Sequence, residues 1–360
     1  MVARLMPRSI CAKAEGRETG SMRKFGLLLG LLALLAVAWT GAWFAAAHQA
    51  TVALHGWIAG ERAQGREWTC PKERVGGFPF ALSVHCDHPH YAGRALGQTV
   101  EAGTTRLTAT ASLAHLRRLA LRMDPPFTFR SSDGSTDLSA GWQSLTAEVG
   151  PLSDPRSLLL QSIGLDVTGH FAGTEGTTTV KADALDADLT MSQVQDDPTL
   201  DFDVSVKGTA LPPVDALLGG TAPVDIAVGG RLDRAEFGDA RTPEEALEHW
   251  RRAGGRVDIG HLLVTRANAN ASATGRLQLD PEHRLDGRLD AAFVGLGPIF
   301  ARYGISDNLV AVTSILGALL GGGNHKAATA PGELDLPITF KNGRVGIGPL
   351  TTGVRLVPLY

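Results

Sequence analysis

The stretch DFDVSVKG (201–208) alternates apolar Phe202, Val204 and Val206 with polar Asp201, Asp203, Ser205 and Lys207. A period of two belongs to a strand with one face on apolar material and the other in water. The pattern recurs in TGRLQLD (274–280), where Leu277 and Leu279 oppose Arg276 and Gln278, and in DGRLDAAF (286–293) through Leu289, Ala291 and Phe293. Thr178–Met191 departs from it. There Val180, Ala182 and Ala184 hold one parity and Leu185, Ala187, Leu189 and Met191 the other, so a bulge near Ala184 is expected to restore a single apolar face. SSDG (131–134), DPEHRLDG (280–287) and KNG (341–343) supply the Asp/Asn-Gly chemistry of chain reversals.

The fold expected is mainly β: an N-terminal transmembrane helix, then an elongated, mostly antiparallel β-sheet meander over residues 93–360 with a few short helices. One helix is TPEEALEHWRRAGG (242–255), with Thr242 as N-cap, Pro243 in the first turn and glycines after its end. The other is DNLVAVTSILGALLGG (307–322). Its apolar run, Leu309–Leu320, is too short to span a bilayer and reads as a buried or interfacial helix, followed by a loop, GGGNHKAATAPGE (321–333). Whether residues 93–360 form one sheet or two stacked units is left open by the pattern.

Hydrophobic residues make up 44% of the chain and charged residues 20%, enough apolar surface for an ordered fold. Aromatics are scarce at 6% while Gly reaches 43 and Pro 19, as suits many short strands and turns. Leaving out residues 1–47, which hold six basic and two acidic groups, reduces the totals of 34 and 37 to 28 and 35, a net charge of −7. That balance argues against nucleic acid as a partner.

Toward the N-terminus, Met22, Arg23 and Lys24 precede Phe25–Ala47, a run without charge or proline. It is long enough to cross a hydrocarbon core of about 30 Å, and the basic residues hold its N-terminal side in the cytoplasm, so residues 48–360 form the exported part. Trp39 and Trp43 stand near its outer end as interfacial anchors. The alternative is a cleaved export signal, for which Ala45–Ala47 supply an Ala-x-Ala site. Residues 1–21 show no pattern and are read as an unstructured leader, with Met22 as an alternative start. In residues 48–66, Ala50, Leu54, Trp57 and Ile58 take helical spacing, an amphipathic helix continuing from the membrane.

Of three cysteines, Cys11 lies in the leader and Cys70 and Cys86 in the exported part, where an even count suggests one disulfide. The intervening CPKERVGGFPFALSVHC carries a Gly-Gly turn between extended arms, a cysteine hairpin over 68–91 whose bridge would contribute roughly 3 kcal/mol. The redox alternative lacks a Cys-x-x-Cys.

No other cluster assembles chemistry. His85, His88 and His90 suggest metal ligands, but strand geometry separates His85 from the other two. The pairs Asp186/Asp188 and Asp201/Asp203 read as a solvated strand face. Trp142 and Trp250 read as core plugs, the latter on a stripe with Leu247. Serine-elbow, zinc-protease and phosphate-loop motifs do not occur. No catalytic, cofactor-binding or metal-binding residue is assigned, and no cofactor is expected.

WTC (68–70), GGFPF (76–80) before the second cysteine, EALEHWRRAGG (245–255), GRLQLD (275–280), DGRLDAAF (286–293) and LPITFKNGRVGIGPL (336–350) occur in that order. In this the exported part resembles the proteobacterial envelope family catalogued as domain of unknown function 2125, which carries no assigned reaction. More remotely, the Gly-x-Leu-x-Leu-Asp pattern is similar to AsmA-like envelope proteins, whose long curved sheet is associated with lipid handling. The resemblance implies a single-pass protein of the bacterial inner membrane with a periplasmic domain. The function expected is non-enzymatic: lipid binding or transport, with Val204, Val206, Leu277, Leu279 and Phe293 lining an apolar groove. The alternative is a structural or assembly module that binds an envelope protein through its sheet edges.

Overall fold

The computed structural model describes residues 19–95, 98–112, 118–151, 156–170, 176–194, 197–210, 221–237, 240, 242–295, 333–348 and 350–360. The expected helix at 307–322, the loop at 321–333 up to residue 332, and most of the leader lie outside the described residues.

Helix α1 (Thr19–Ala63) is one unbroken rod of 45 residues, so the apolar run and the amphipathic stretch after it are a single element. At 1.5 Å per residue it is about 67 Å long. The strands follow: β1 (Glu67–Thr69), β2 (Lys72–Gly76), β3 (Ala81–Asp87), β4 (His90–Ala95), β5 (Gln98–Ser112), β6 (Leu119–Ser131), β7 (Asp137–Gly141), β8 (Ser144–Gly150) and β9 (Ser157–His170). After them come β10 (Thr178–Val194), β11 (Asp197–Thr209) and β12 (Val224–Leu232). Then follow helix α2 (Pro243–Arg252), β13 (Val257–Arg266), β14 (Ala269–Leu279), β15 (Leu285–Val294), β16 (Glu333–Lys341), β17 (Arg344–Ile347) and β18 (Leu350–Arg355).

Among the described residues these strands form one 18-stranded sheet with antiparallel pairings throughout. From β9 to β18 each strand pairs with the next in sequence. At the N-terminal end β3 and β4 lie end to end along one side of β5, and β7 and β8 do so between β6 and β9. Pro71 and Pro89, which offer no ladder N–H, stand at the breaks that split β1 from β2 and β3 from β4.

The turns follow the expected chemistry. Between β6 and β7 the Asp133 carboxylate accepts from Ser131 Oγ at 2.7 Å and from Ser135 N at 2.9 Å. Asp280 accepts from the backbone of Glu282 and Arg284, both at 2.9 Å, to close the β14–β15 loop. Asn342 and Gly343 both take positive φ, 51° and 69°, in the tight β16–β17 turn. Thr242 caps α2 by accepting from Glu245 N at 3.3 Å, and Trp250 is buried with its Nε1 donating to Asp233 O at 2.9 Å.

The expected bulge near Ala184 is not formed. The register of β10 with both β9 and β11 runs unshifted through Ala184. Instead β9 and β10 change inward parity together. Ala182 and Leu189, seven positions apart, are each less exposed than both their neighbours, and β9 turns over across Gly164, which takes a left-handed φ of 63°. Glycine reaches that conformation without the Cβ clash that other residues meet there. True register shifts occur elsewhere, at Thr104/Arg106 in β5 and Ile259/Leu262 in β13.

The core is thin. Among the described residues no large side chain is fully buried. The best-packed cluster, Ala273, Leu289 and Ala291, takes its partners Ile259, Leu262, Leu277, Phe293, Ile338 and Phe340 from β13–β16 alone. All of them are neighbours within one layer. Leu289→Ala should cost about 2–3 kcal/mol, and Leu263→Ala, at an exposed position, within about 0.5 kcal/mol, as read by urea unfolding.

Candidate functional site

Cross-strand partners share a face, so the register can be followed across the sheet. Starting from β2, Val75 lies opposite Val84, Val84 opposite Ala109, Ala109 opposite Leu121, Leu121 opposite Ala147 and Ala147 opposite Leu160. The chain of partners continues through Ala187, Val204, Val228 and Leu262 to Ala273, Ala291 and Leu336 of β16. Every member is apolar. At about 4.8 Å between strands the row runs roughly 60 Å along the sheet. Apart from Ala273 and Ala291, its members remain partly exposed.

The five residues expected to line a groove all fall on this face. Val204 belongs to the row itself. Val206 lies beside it, opposite Leu185 and Ile226, and Phe293 lies opposite Ala271. Leu277 pairs with Val257 and Gly287, and Leu279 with Leu285 at the margin of the face. Val84, Leu121, Leu160, Val228 and Leu262 were not singled out from sequence. Their strands carry bulges, breaks or glycines that blur the alternation.

The other face is charged and internally paired. Arg231 donates to Asp201 at 2.6 Å and Arg276 to Asp258 at 2.5 Å, neighbouring rungs of one cross-strand ladder. A shallow depression of about 620 Å³ over Gly230, Gly260 and Gly275 is bordered by these same pairs. Asp186 accepts from Gln161 Nε2 at 3.0 Å, and Asp203 stands 3.3 Å from His261. Asp188 faces Asp203 across the strands. The acidic pairs are thus parts of a solvated ladder.

The histidines diverge. His85 Nδ1 bonds Thr108 Oγ1 at 3.0 Å, His88 sits in a left-handed turn between β3 and β4, and His90 lies 3.9 Å from Glu101. Among the described residues no three His, Cys, Asp or Glu side chains converge as metal ligands. Trp142 donates to Met123 O at 2.9 Å. A denser polar knot joins α2 to the C-terminal tail: Glu248 accepts from Arg251 at 2.8 Å, Arg252 at 2.5 Å and the Tyr360 hydroxyl at 2.9 Å. These bonds, Arg251's foremost, hold the Glu248 carboxyl far below its usual range.

The N-terminal margin of the apolar face is tethered to α1. Thr40, Trp43, Ala47, Ala50, Leu54 and Ile58, spaced three or four apart, are the less exposed side of the helix from residue 40 onward, whereas residues 24–39 are exposed all round. Trp57 packs on Trp68, which packs on Tyr91, with centroids 5.5 and 4.8 Å apart, and His55 bonds Glu73 at 2.8 Å. At the tip of the β2–β3 hairpin, Trp39 Nε1 donates to Pro79 O at 3.0 Å and Trp43 Nε1 to Ala81 O at 2.8 Å. Below the tether, the disulfide joins Cys70, before β2, to Cys86 on β3, with Cα atoms 5.6 Å apart. On the charged face Asp87 draws β2 and β5 together, accepting from Arg74 and, at 2.6 Å, from Arg106. Those bonds, Arg106's first, hold its carboxyl below the usual range.

A single-layer antiparallel meander, apolar on one face and fastened at one end to a helix long and apolar enough to cross a membrane, is the class that these elements define. The chain belongs to the family described as "Uncharacterized protein conserved in bacteria (DUF2125)", whose model matches residues 43–354. No match was found among curated proteins or among solved structures.

Replacing Cys70 and Cys86 by Ser should remove roughly 3 kcal/mol by loosening the loop between them, read as an earlier unfolding midpoint for the N-terminal strands. Because the folded carboxyl of Asp87 is lowered, its contribution is present above the unfolded value of about 3.9 and lost as pH falls through the folded one. Amide protection in β2, β3 and β5 should therefore decline on acidification below about pH 4 in the wild type, and less in Asp87→Asn.

Proposed function

We propose that this protein shelters the acyl chains of lipid on the apolar face of its sheet, as a single-pass protein of the bacterial inner membrane with its sheet in the periplasm. Its work is binding and conduct rather than catalysis. The observation that supports this reading is the unbroken apolar row from Val75 to Leu336, partly exposed along most of its length. Apolar side chains in contact with water along about 60 Å are unfavourable at roughly 25 cal/mol per Å² until something apolar covers them, and an extended acyl chain matches a narrow track better than a globular partner does. The tether sets the start of the track beside α1, the segment that meets lipid. Cationic residues at Arg23 and Lys24 orient the helix with its N-terminus in the cytoplasm.

The shifted carboxylates also favour binding over chemistry. Glu248 and Asp87 are lowered foremost by arginine hydrogen bonds, as in structural ion pairs, whereas desolvation in a cleft would raise a carboxyl. A rival use of the same build, docking a protein along the outer edge of β18, draws on that strand's pairing with β17 alone among the described strands.

Lipid extraction and native mass spectrometry of the full chain, released from mild detergent, separate the two. Phospholipid should co-purify, and Val204→Asp, which sets a charge in the row, should reduce it about tenfold or more, while Ser205→Asp on the charged face leaves it unchanged. A chain that stays empty when offered phospholipid would sink the lipid reading and leave the edge-docking one.

A further inference from the structure

We propose that the β2–β3 hairpin tip, Gly77–Phe80, is a wedge inserted among the lipids of the bilayer leaflet on the sheet's side. This rests on the reading of α1 as a membrane span. The part of α1 with no contact to the sheet, Phe25–Ala38, covers about 21 Å at 1.5 Å per residue. A hydrocarbon core of about 30 Å needs roughly six residues more, and Lys24 and Arg23 block extension on the other side. The missing residues, Trp39–Phe44, are those against the tip. Trp39 and Trp43 donate to its backbone, and the Trp43 ring stands edge-on to Phe78 with centroids 5.5 Å apart. If the helix spans, the tip lies at the depth of these indoles, within several ångströms of the hydrocarbon boundary.

The chemistry of the tip fits that depth independently. Gly76–Ser83 (GGFPFALS) carries no charge, and Phe78 and Phe80 are 51% and 72% exposed. Water gives such a pair no reason to project, whereas lipid does. Backbone at membrane depth must find its partners within the protein. Part of that need is met here: Gly77 O accepts from Ala81 N at 2.9 Å, Pro79 has no N–H to satisfy, and the carbonyls of Pro79 and Ala81 take the two indole donors. The nearest charged groups, Arg74 and Glu73, stand beyond the uncharged stretch and are held by Asp87 and His55. The first hairpin of the sheet would thereby dip its end into lipid, and Val75 and Val84 would begin the apolar row at the membrane surface.

Nitroxide labels on the full chain carrying Cys11→Ser, reconstituted in phosphatidylethanolamine and phosphatidylglycerol vesicles, test this. Sites are Phe80→Cys, Phe78→Cys as a second tip position, Leu35→Cys on the lipid-facing helix and Gly134→Cys in the exposed β6–β7 turn. The tip labels should collide readily with oxygen and poorly with a water-soluble nickel chelate, as at Leu35, with the opposite ratio at Gly134. Tip labels as open to nickel as Gly134, with Leu35 shielded, would overturn the wedge and leave the span intact. Tip labels shielded from both reagents would place them against protein and overturn it as well. Nickel access at Leu35 would remove the span, and the wedge with it.

Discussion

Register along the antiparallel ladder is the constraint on which the molecule depends. A slip of one residue between any two neighbours would carry the whole apolar set of a strand to the wrong side. Yet Val204, Val228 and Leu262 stay in line although β13 takes in an extra residue between Ile259 and Leu262. Bulges here are corrections: each restores the side on which the next apolar residue emerges. The same holds at Gly164, where two strands turn over together and no register is lost. The charged ladder of Asp201, Arg231, Asp258 and Arg276 adds cross-strand attraction on the opposite side, so both faces favour one alignment.

With one layer, burial cannot supply the usual core, and other devices hold the ends. At the N-terminal end these are the disulfide, the Asp87 pairs and the aromatic stack of Trp57, Trp68 and Tyr91. At the C-terminal end the tail folds back. Leu359 N donates to His283 O at 2.9 Å, and Tyr360 stacks on His283 at 4.3 Å while binding Glu248. The N-terminal margin is thus held against α1, and the tail is tied to α2 and the β14–β15 loop.

Much of the fold could be read from sequence where side chains alternate without interruption. β11, β14 and β15 declare their faces in DFDVSVKG, GRLQLD and DGRLDAAF, and the Asp and Asn turns declare where the chain reverses. α1, α2 and the cysteine pair were equally legible, because a long uncharged run, a Thr-Pro cap and an even cysteine count have few other physical outcomes. The Gly164 turnover was not, since a glycine inside a strand is equally compatible with a bulge, a twist or a close approach. Nor was the contact of Trp39 and Trp43 with the hairpin tip, which pairs an indole with a backbone carbonyl 40 or 38 residues away and leaves no side-chain signature at the accepting end. The apolar row was legible only in pieces, because its continuity is a property of register between strands and no single segment contains it.

The nearest-neighbour order of β9 to β18 has a consequence for how the chain becomes ordered. Each strand finds its partner in the segment just before it, so the sequence separation of its contacts stays small despite the size of the sheet. A chain emerging N-terminus first could add one ribbon at a time to an already formed edge, with α1 and the disulfide-closed hairpin as the template. For such a protein, the growing margin is the vulnerable surface at every stage.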